Sequence, residues 1–267
     1  MKNKTWEKMH TWSDVLPPSR PDVWQLKIIE NYLDKFDSDV NIAVLGSTIE
    51  FVDLIIRNGK NNIYVFEKNE DFYLSQNKYR AYLDKEKLIL GDWLDTLKDY
   101  ENYFHIILSD LTIGNIEYKY QNSFLRKISS ALCKEGVFID RILTHQIEKL
   151  SLDSLFHKYE RLPLNLRTIN DFSSEFLFCS ELLNTKSMVD STVFYETIIE
   201  LSKNPQILKF VEFSQLVTPY NCYWWYGKEW SELQTSYMRY FEILQEFDEP
   251  ENSVYFKRVK LFISRVN

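Results

Sequence analysis

Apolar positions along the chain fall into short continuous runs separated by stretches at helical spacing. The first run, Ile42-Ala43-Val44-Leu45, stops at Gly46, and Ser47-Thr48 lead into an apolar-periodic stretch that predicts a helix over 48–58. Further runs predict strands at 62–67 (NIYVFE), 87–92 (KLILGD), 104–110 (FHIILSD) and 136–143 (GVFIDRIL). Helices are expected at 22–36, 69–83, a short one near 94–99, and 117–134. Strands alternating with helices imply a parallel sheet with right-handed crossovers.

The glycines follow the same rhythm. Gly46 and Gly91 follow strands, Gly114 follows the fourth by a few residues, and Gly59 and Gly136 are expected to close helices. After Thr144 the pattern changes. Residues 145–235 read as helical or irregular, 188–203 most clearly helical, and carry the aromatic run YNCYWWYGKEW at 220–230. Residues 241–247 and 257–266 then read as two strands. Their link is too short for a parallel crossover, so they should pair antiparallel. The expected organisation is a lead-in and helix over 1–40, a core over 41–144, an insertion over 145–235, and a closing strand pair over 236–267.

Composition narrows the function. The net charge of -7 and pI of about 5.3 argue against a general nucleic-acid binder, which would show a basic stripe. Cys133, Cys179 and Cys222 lack C-x-x-C spacing, and the opening MKNKTWEKMHTW has no apolar secretory core. With no apolar run of about 18 residues, a reduced, cytoplasmic setting without a membrane span is expected. No metal-ligand spacing is present, so no metal is expected.

The VLGST turn at 44–48 is how a buried strand hands over to a helix around a ligand. A dinucleotide fingerprint would need G-x-G-x-x-G, and the next glycine is Gly59. Taken with VFEKN (65–69), LGDWLD (90–95), IILSDL (106–111) and ALCKEGVFIDR (131–141), the chain resembles class I S-adenosylmethionine-dependent methyltransferases. LPPSRP (16–21) and LGSTIEF (45–51) are similar to a bacterial branch of them that carries L-P-P-x-R-P and L-G-x-T-P-E-L segments. Ile49 and Phe51 depart from that pattern, and Glu135 stands where the family has glycine.

The resemblance implies a Rossmann-like α/β sheet of order 3-2-1-4-5-7-6, strand 7 antiparallel, with a helical insertion. It implies S-adenosylmethionine as cofactor and methyl transfer to a small-molecule or peptide acceptor. Gly46, Ser47 and Thr48 would hold the methionine carboxylate at a helix N-terminus, unless the two hydroxyls only cap that helix. Glu67, beside Lys68, would take the ribose hydroxyls, a role that the 2′-OH of a nicotinamide cofactor would suit equally. Asp92 and Trp93 would meet the adenine, Trp93 alternatively anchoring the core. Asp110 and Leu111 would meet the methionine end, and Asp110 and His145 are the candidate catalytic groups. His105, inside an apolar strand, reads as a core residue. On the acceptor side stand Arg20, Arg141, Tyr223 and Trp224. Alternation allows only one of Asp140 and Arg141 to face the site. The aromatic run is either a pocket wall, a partner surface or ordinary core. Two other classes compete: a nicotinamide-dependent oxidoreductase, and an inactive methyltransferase-like scaffold that binds a partner.

Overall fold

The computed structural model describes residues 12, 15–17, 19–83, 85–144, 149–182, 188–226, 228–251, 253 and 258–267. Among the described residues, nine strands run β1 (Asn41–Leu45), β2 (Asn62–Glu67), β3 (Glu86–Leu90), β4 (Phe104–Asp110), β5 (Leu132–Leu143), β6 (Val189–Asp190), β7 (Tyr223–Trp224), β8 (Phe241–Asp248) and β9 (Val259–Val266). Seven form one sheet in the order β3-β2-β1-β4-β5-β9-β8. The first five pair in parallel, while β9 is antiparallel to both β5 and β8. This is the order expected from the sequence, with β8 and β9 as sixth and seventh strands. β6 and β7 form a separate two-stranded ribbon.

Ten α-helices accompany the strands among the described residues: α1 (Val23–Leu33), α2 (Ile49–Arg57), α3 (Glu70–Ser75), α4 (Trp93–Thr96), α5 (Tyr118–Ala131), α6 (Leu152–Tyr159), α7 (Leu166–Phe178), α8 (Ser191–Leu201), α9 (Pro205–Val217) and α10 (Trp230–Tyr237). The central strands are apolar without interruption because helices cover both their faces. On one face Leu45, Phe66, Ile107 and Phe138 pack with Phe124 and Ile128 of α5 and Tyr237 of α10. On the other, Ile42, Val44, Leu108 and Ile139 meet Ile29 and Leu33 of α1 and Val52 and Ile55 of α2.

Several boundaries differ from the sequence reading, among them the stretch at 188–203, which opens with β6 before α8. The helix expected over 69–83 stops at Ser75, and a single 3-10 turn follows at Asn77–Tyr79. β3 ends at Leu90, and Gly91 turns away at φ +148°. α5 ends at Ala131 and β5 begins at once, so Gly136 lies within a strand and closes no helix. There β4 and β5 shift register, and a Cβ on Gly136 would stand 2.8 Å from the Cys133 carbonyl oxygen and 3.0 Å from that of Phe104. Glycine is needed for this close backbone approach, which the apolar pattern alone does not reveal.

The insertion holds its own core, in which Tyr159, Phe172, Phe176 and Phe210 pack from α6, α7 and α9. The lead-in touches both parts. Trp12 and Val15 pack on Ile49 of α2, while Arg167 of α7 donates to the Pro17 carbonyl. No helix among the described residues is long and apolar enough to cross a membrane.

Asp140 carries a stability consequence. Its side chain is buried in the sheet, and the Tyr237 hydroxyl donates to its Oδ2 at 2.5 Å. Burial pushes its carboxyl from an ordinary value of 3.8 up to about 8, against the stabilising Tyr237 and Ser109 contacts. Between those values the folded chain keeps a proton that the unfolded chain releases, so the Asp140 contribution destabilises progressively from about pH 4 to about pH 8. Asp140→Asn, which keeps the acceptor for Tyr237, should therefore be more stable than the parent. Urea unfolding should show the gap widening with pH to roughly 3 kcal/mol near pH 8, allowing half of the shift at about 1.4 kcal/mol per unit. A gap that does not change with pH would show that Asp140 is already ionised in the fold.

Candidate functional site

The carboxyl ends of β1, β2 and β4 bring Gly46, Ser47, Thr48, Glu67 and Asp110 together. Gly46 turns the chain at φ +89°, and its N–H donates to the Phe66 carbonyl at 2.9 Å. A Cβ there would meet nothing closer than Trp93, at 4.0 Å, so the glycine leaves the loop's flank open. Thr48 occupies the N-cap position of α2 but makes no side-chain cap bond. Its Oγ1 donates instead to Asp110 Oδ2 at 3.2 Å, and Ser47 Oγ donates to Glu67 Oε2 at 2.9 Å. Neither hydroxyl caps the helix; both reach across to acids on neighbouring strands. The first turn of α2 is thus left without a side-chain cap, which is how a helix start receives an anionic group.

Glu67 is held in place by the backbone. Its Oε1 accepts from the N–H groups of Lys68 at 2.7 Å and Asn69 at 2.9 Å, while Oε2 faces Ser47. A carboxylate offers about four acceptor positions, so these three donors leave capacity for a further hydroxyl. Asp92 lies at the more open end. Its Oδ1 accepts from Leu94 N–H at 3.0 Å, capping α4, and its Oδ2 from Lys68 Nζ at 2.8 Å. Burial opposes ionisation of Asp92, but the Lys68 ammonium and the Leu94 N–H outweigh it and hold the carboxyl below its ordinary value. Trp93 Nε1 donates to the Phe66 carbonyl at 3.0 Å and its ring leans on Phe124, so Trp93 anchors the core beside the site.

Asp110 forms the buried end. Arg141, next to it on β5, donates to Oδ1 at 2.6 Å, and the two side chains are 0% and 5% exposed. Burial raises the Asp110 carboxyl despite the Arg141 guanidinium and the Thr48 hydroxyl. Arg141 is therefore the member of the Asp140–Arg141 pair that faces the site, while Asp140 turns to Tyr237. Leu111 follows at φ +53°, with its N–H donating to the Arg141 carbonyl at 2.7 Å. Thr112, also buried, donates to the Leu45 carbonyl at 3.3 Å.

The remaining candidates fall elsewhere. Arg20 lies 3.6 Å from Glu50, which also accepts from Trp12 Nε1 at 2.8 Å. The lead-in therefore closes over the start of α2, and Arg20 is engaged there. Tyr223 and Trp224 form β7, paired with Asp190 and Val189, and the Trp224 ring packs on Phe178. Within the aromatic run, Trp225 and Tyr226 hydrogen-bond to the β4 loop, against which β7 also packs. Trp225 N–H donates to the Gly114 carbonyl at 2.7 Å, and the Tyr226 hydroxyl to that of Leu111 at 2.8 Å. Cys222, Trp224 and Tyr226 alternate as the buried positions, a strand period that the clustered aromatics hide in the sequence. His145 lies outside the described residues. His105 stands at the opposite end of β4, where its Nδ1 accepts from Asn41 N–H at 3.1 Å. No group of three side chains able to hold a metal occurs among the described residues.

No protein-family model matches the chain, and no curated protein matches it. Solved structures do. A Rhodobacter sphaeroides protein described as a putative Zn-dependent alcohol dehydrogenase aligns over 100% of this chain and 99% of its own, at 12% identity and TM-score 0.59. A S-adenosylmethionine-dependent methyltransferase from Methanosarcina mazei aligns over 90% and 96%, at 11% identity and TM-score 0.53. The Burkholderia thailandensis 1,6-didemethyltoxoflavin-N1-methyltransferase, solved with 1,6-didemethyltoxoflavin and S-adenosylhomocysteine, aligns over 92% and 81%, at 8% identity and TM-score 0.51. At these identities the likeness concerns the fold alone. Together with the strand order, it shows that the chain has the Rossmann-like sheet of the class I methyltransferases.

Proposed function

We propose that this protein transfers a methyl group from S-adenosylmethionine to a small-molecule or peptide acceptor. The observation that carries the proposal is Glu67, fixed at the end of β2 by two backbone N–H groups and turned toward the Gly46-Ser47 loop. An acid held there suits a ribose hydroxyl, and the uncapped start of α2 beside it suits a carboxylate. The residues thus fit a ligand with a ribose and an amino-acid carboxylate. Lys68 and Asp92 lie toward its base, and Asp110 and Leu111 toward its methionine end.

S-adenosylmethionine supplies a methyl group already activated on a sulfonium. The chain's task is alignment and exclusion of water. Asp110 serves by position and charge, since Arg141 and Thr48 hold its oxygens. In this reading the insertion at 145–235 supplies the acceptor face, with Arg20, Tyr223 and Trp224 at its borders and His145 the candidate base.

The test is incubation with S-adenosylmethionine labelled on the methyl group and pooled small-molecule and peptide extracts. Label should move to an acceptor. One observation favours a second reading, that of a scaffold without catalysis: Glu67 with Ser47, Asp92 with Lys68, and Asp110 with Arg141 already pair with one another. Cofactor binding without label transfer to any pool would favour that scaffold.

A further inference from the structure

The insertion meets the cofactor end of the sheet at one strained residue. Leu111, directly after Asp110, holds φ +53° and ψ 20°, a left-handed conformation that leucine avoids and that only glycine, asparagine and aspartate adopt readily. Such a conformation persists only where neighbours determine it. Here the neighbours are specific. The Leu111 N–H donates to the Arg141 carbonyl, and the Leu111 carbonyl accepts from the Tyr226 hydroxyl at 2.8 Å and from Asn115 Nδ2 at 3.4 Å. The Tyr226 ring lies where a side chain at position 114 would stand, since a Cβ on Gly114 would come within 1.6 Å of it. Trp225 N–H fastens the same loop through the Gly114 carbonyl.

We infer that Tyr226 is a positioning residue: it holds Leu111 left-handed and thereby fixes Asp110 and Thr112 at the methionine end of the site. The inference rests on the proposed function for its ligand. It makes the insertion a determinant of cofactor affinity, although no insertion residue needs to touch the cofactor. By reciprocity, anything that shifts the 220–226 segment shifts that affinity as well.

The experiment compares Tyr226→Phe, Tyr195→Phe and Tyr226→Phe with Leu111→Asn by titration with S-adenosylhomocysteine. Tyr195 is the control because its buried hydroxyl makes the same kind of bond, to the Thr218 carbonyl at 3.0 Å, inside the insertion. Tyr226→Phe should weaken binding about tenfold, the equivalent of one buried hydrogen bond. Tyr195→Phe should change it less than about twofold, and Leu111→Asn should restore most of the loss, because asparagine accepts the left-handed conformation. Equal losses in the two tyrosine variants, or no restoration by Leu111→Asn, would overturn the inference. If the parent protein binds no S-adenosylhomocysteine, the proposed function fails, and amide exchange at Leu111 decides the positioning role separately. Exchange about tenfold faster in Tyr226→Phe alone upholds it, and exchange unchanged, or equally fast in Tyr195→Phe, refutes it.

Discussion

Replacing Glu67 by alanine should lower affinity for S-adenosylhomocysteine by about tenfold to a hundredfold. Hydrogen bonds to a charged acceptor contribute roughly 1.5–3 kcal/mol each, and the position that Lys68, Asn69 and Ser47 leave open on this carboxylate takes one ribose hydroxyl. The same acid also accepts from the Lys68 and Asn69 amides and from Ser47, so alanine loosens the loop as well. Glu67→Gln separates the two effects. Its amide oxygen can still accept from the backbone N–H groups, while its NH2 group presents a donor where the ribose needs an acceptor. Glutamine should therefore keep most of the thermal stability and still lose at least about tenfold in affinity. Loss of stability with affinity retained would assign Glu67 to loop structure alone.

The second large effect concerns the buried ion pair. Arg141→Met should destabilise the fold by about 3–5 kcal/mol, the usual consequence of leaving one buried charge without its partner. Asp110 would retain only the Thr48 hydroxyl at 3.2 Å, and its carboxyl, already raised by burial, would rise further. The loss should therefore be smaller in acid, where Asp110 takes up a proton, and larger above neutrality. Replacing both residues, Arg141→Met with Asp110→Leu, should recover most of the stability, since an apolar pair of similar volume substitutes well for a buried ion pair. Urea unfolding of the parent, Arg141→Met and the double variant across pH checks this. A double variant as unstable as Arg141→Met would show that Asp110 is not the source of the loss.

The sheet was legible in the sequence because its central strands are buried on both faces. IAVL, IYVF and IIL read as continuous apolar runs, and the polar Ser47, Glu67 and Asp110 stand where those runs stop. The strand order itself came through resemblance, which periodicity does not supply. Gly136 misled, because a glycine before an apolar run reads as a helix stop, whereas here it eases a register shift between β4 and β5. The insertion was legible only as helical or irregular. Its aromatics gave no direction, and choosing Tyr223 and Trp224 over Tyr226 missed the contact that depends on Gly114, far away in sequence. Likewise, Ser47 and Thr48 sit where helix caps belong, and only their partners on β2 and β4 show that neither hydroxyl caps the helix.

The central claim is tested most directly by calorimetric titration of the purified protein with S-adenosylmethionine, S-adenosylhomocysteine and NADPH. The proposed function predicts micromolar binding of the first two and none of the third. Binding of NADPH in preference, or binding of none of the three, would contradict it.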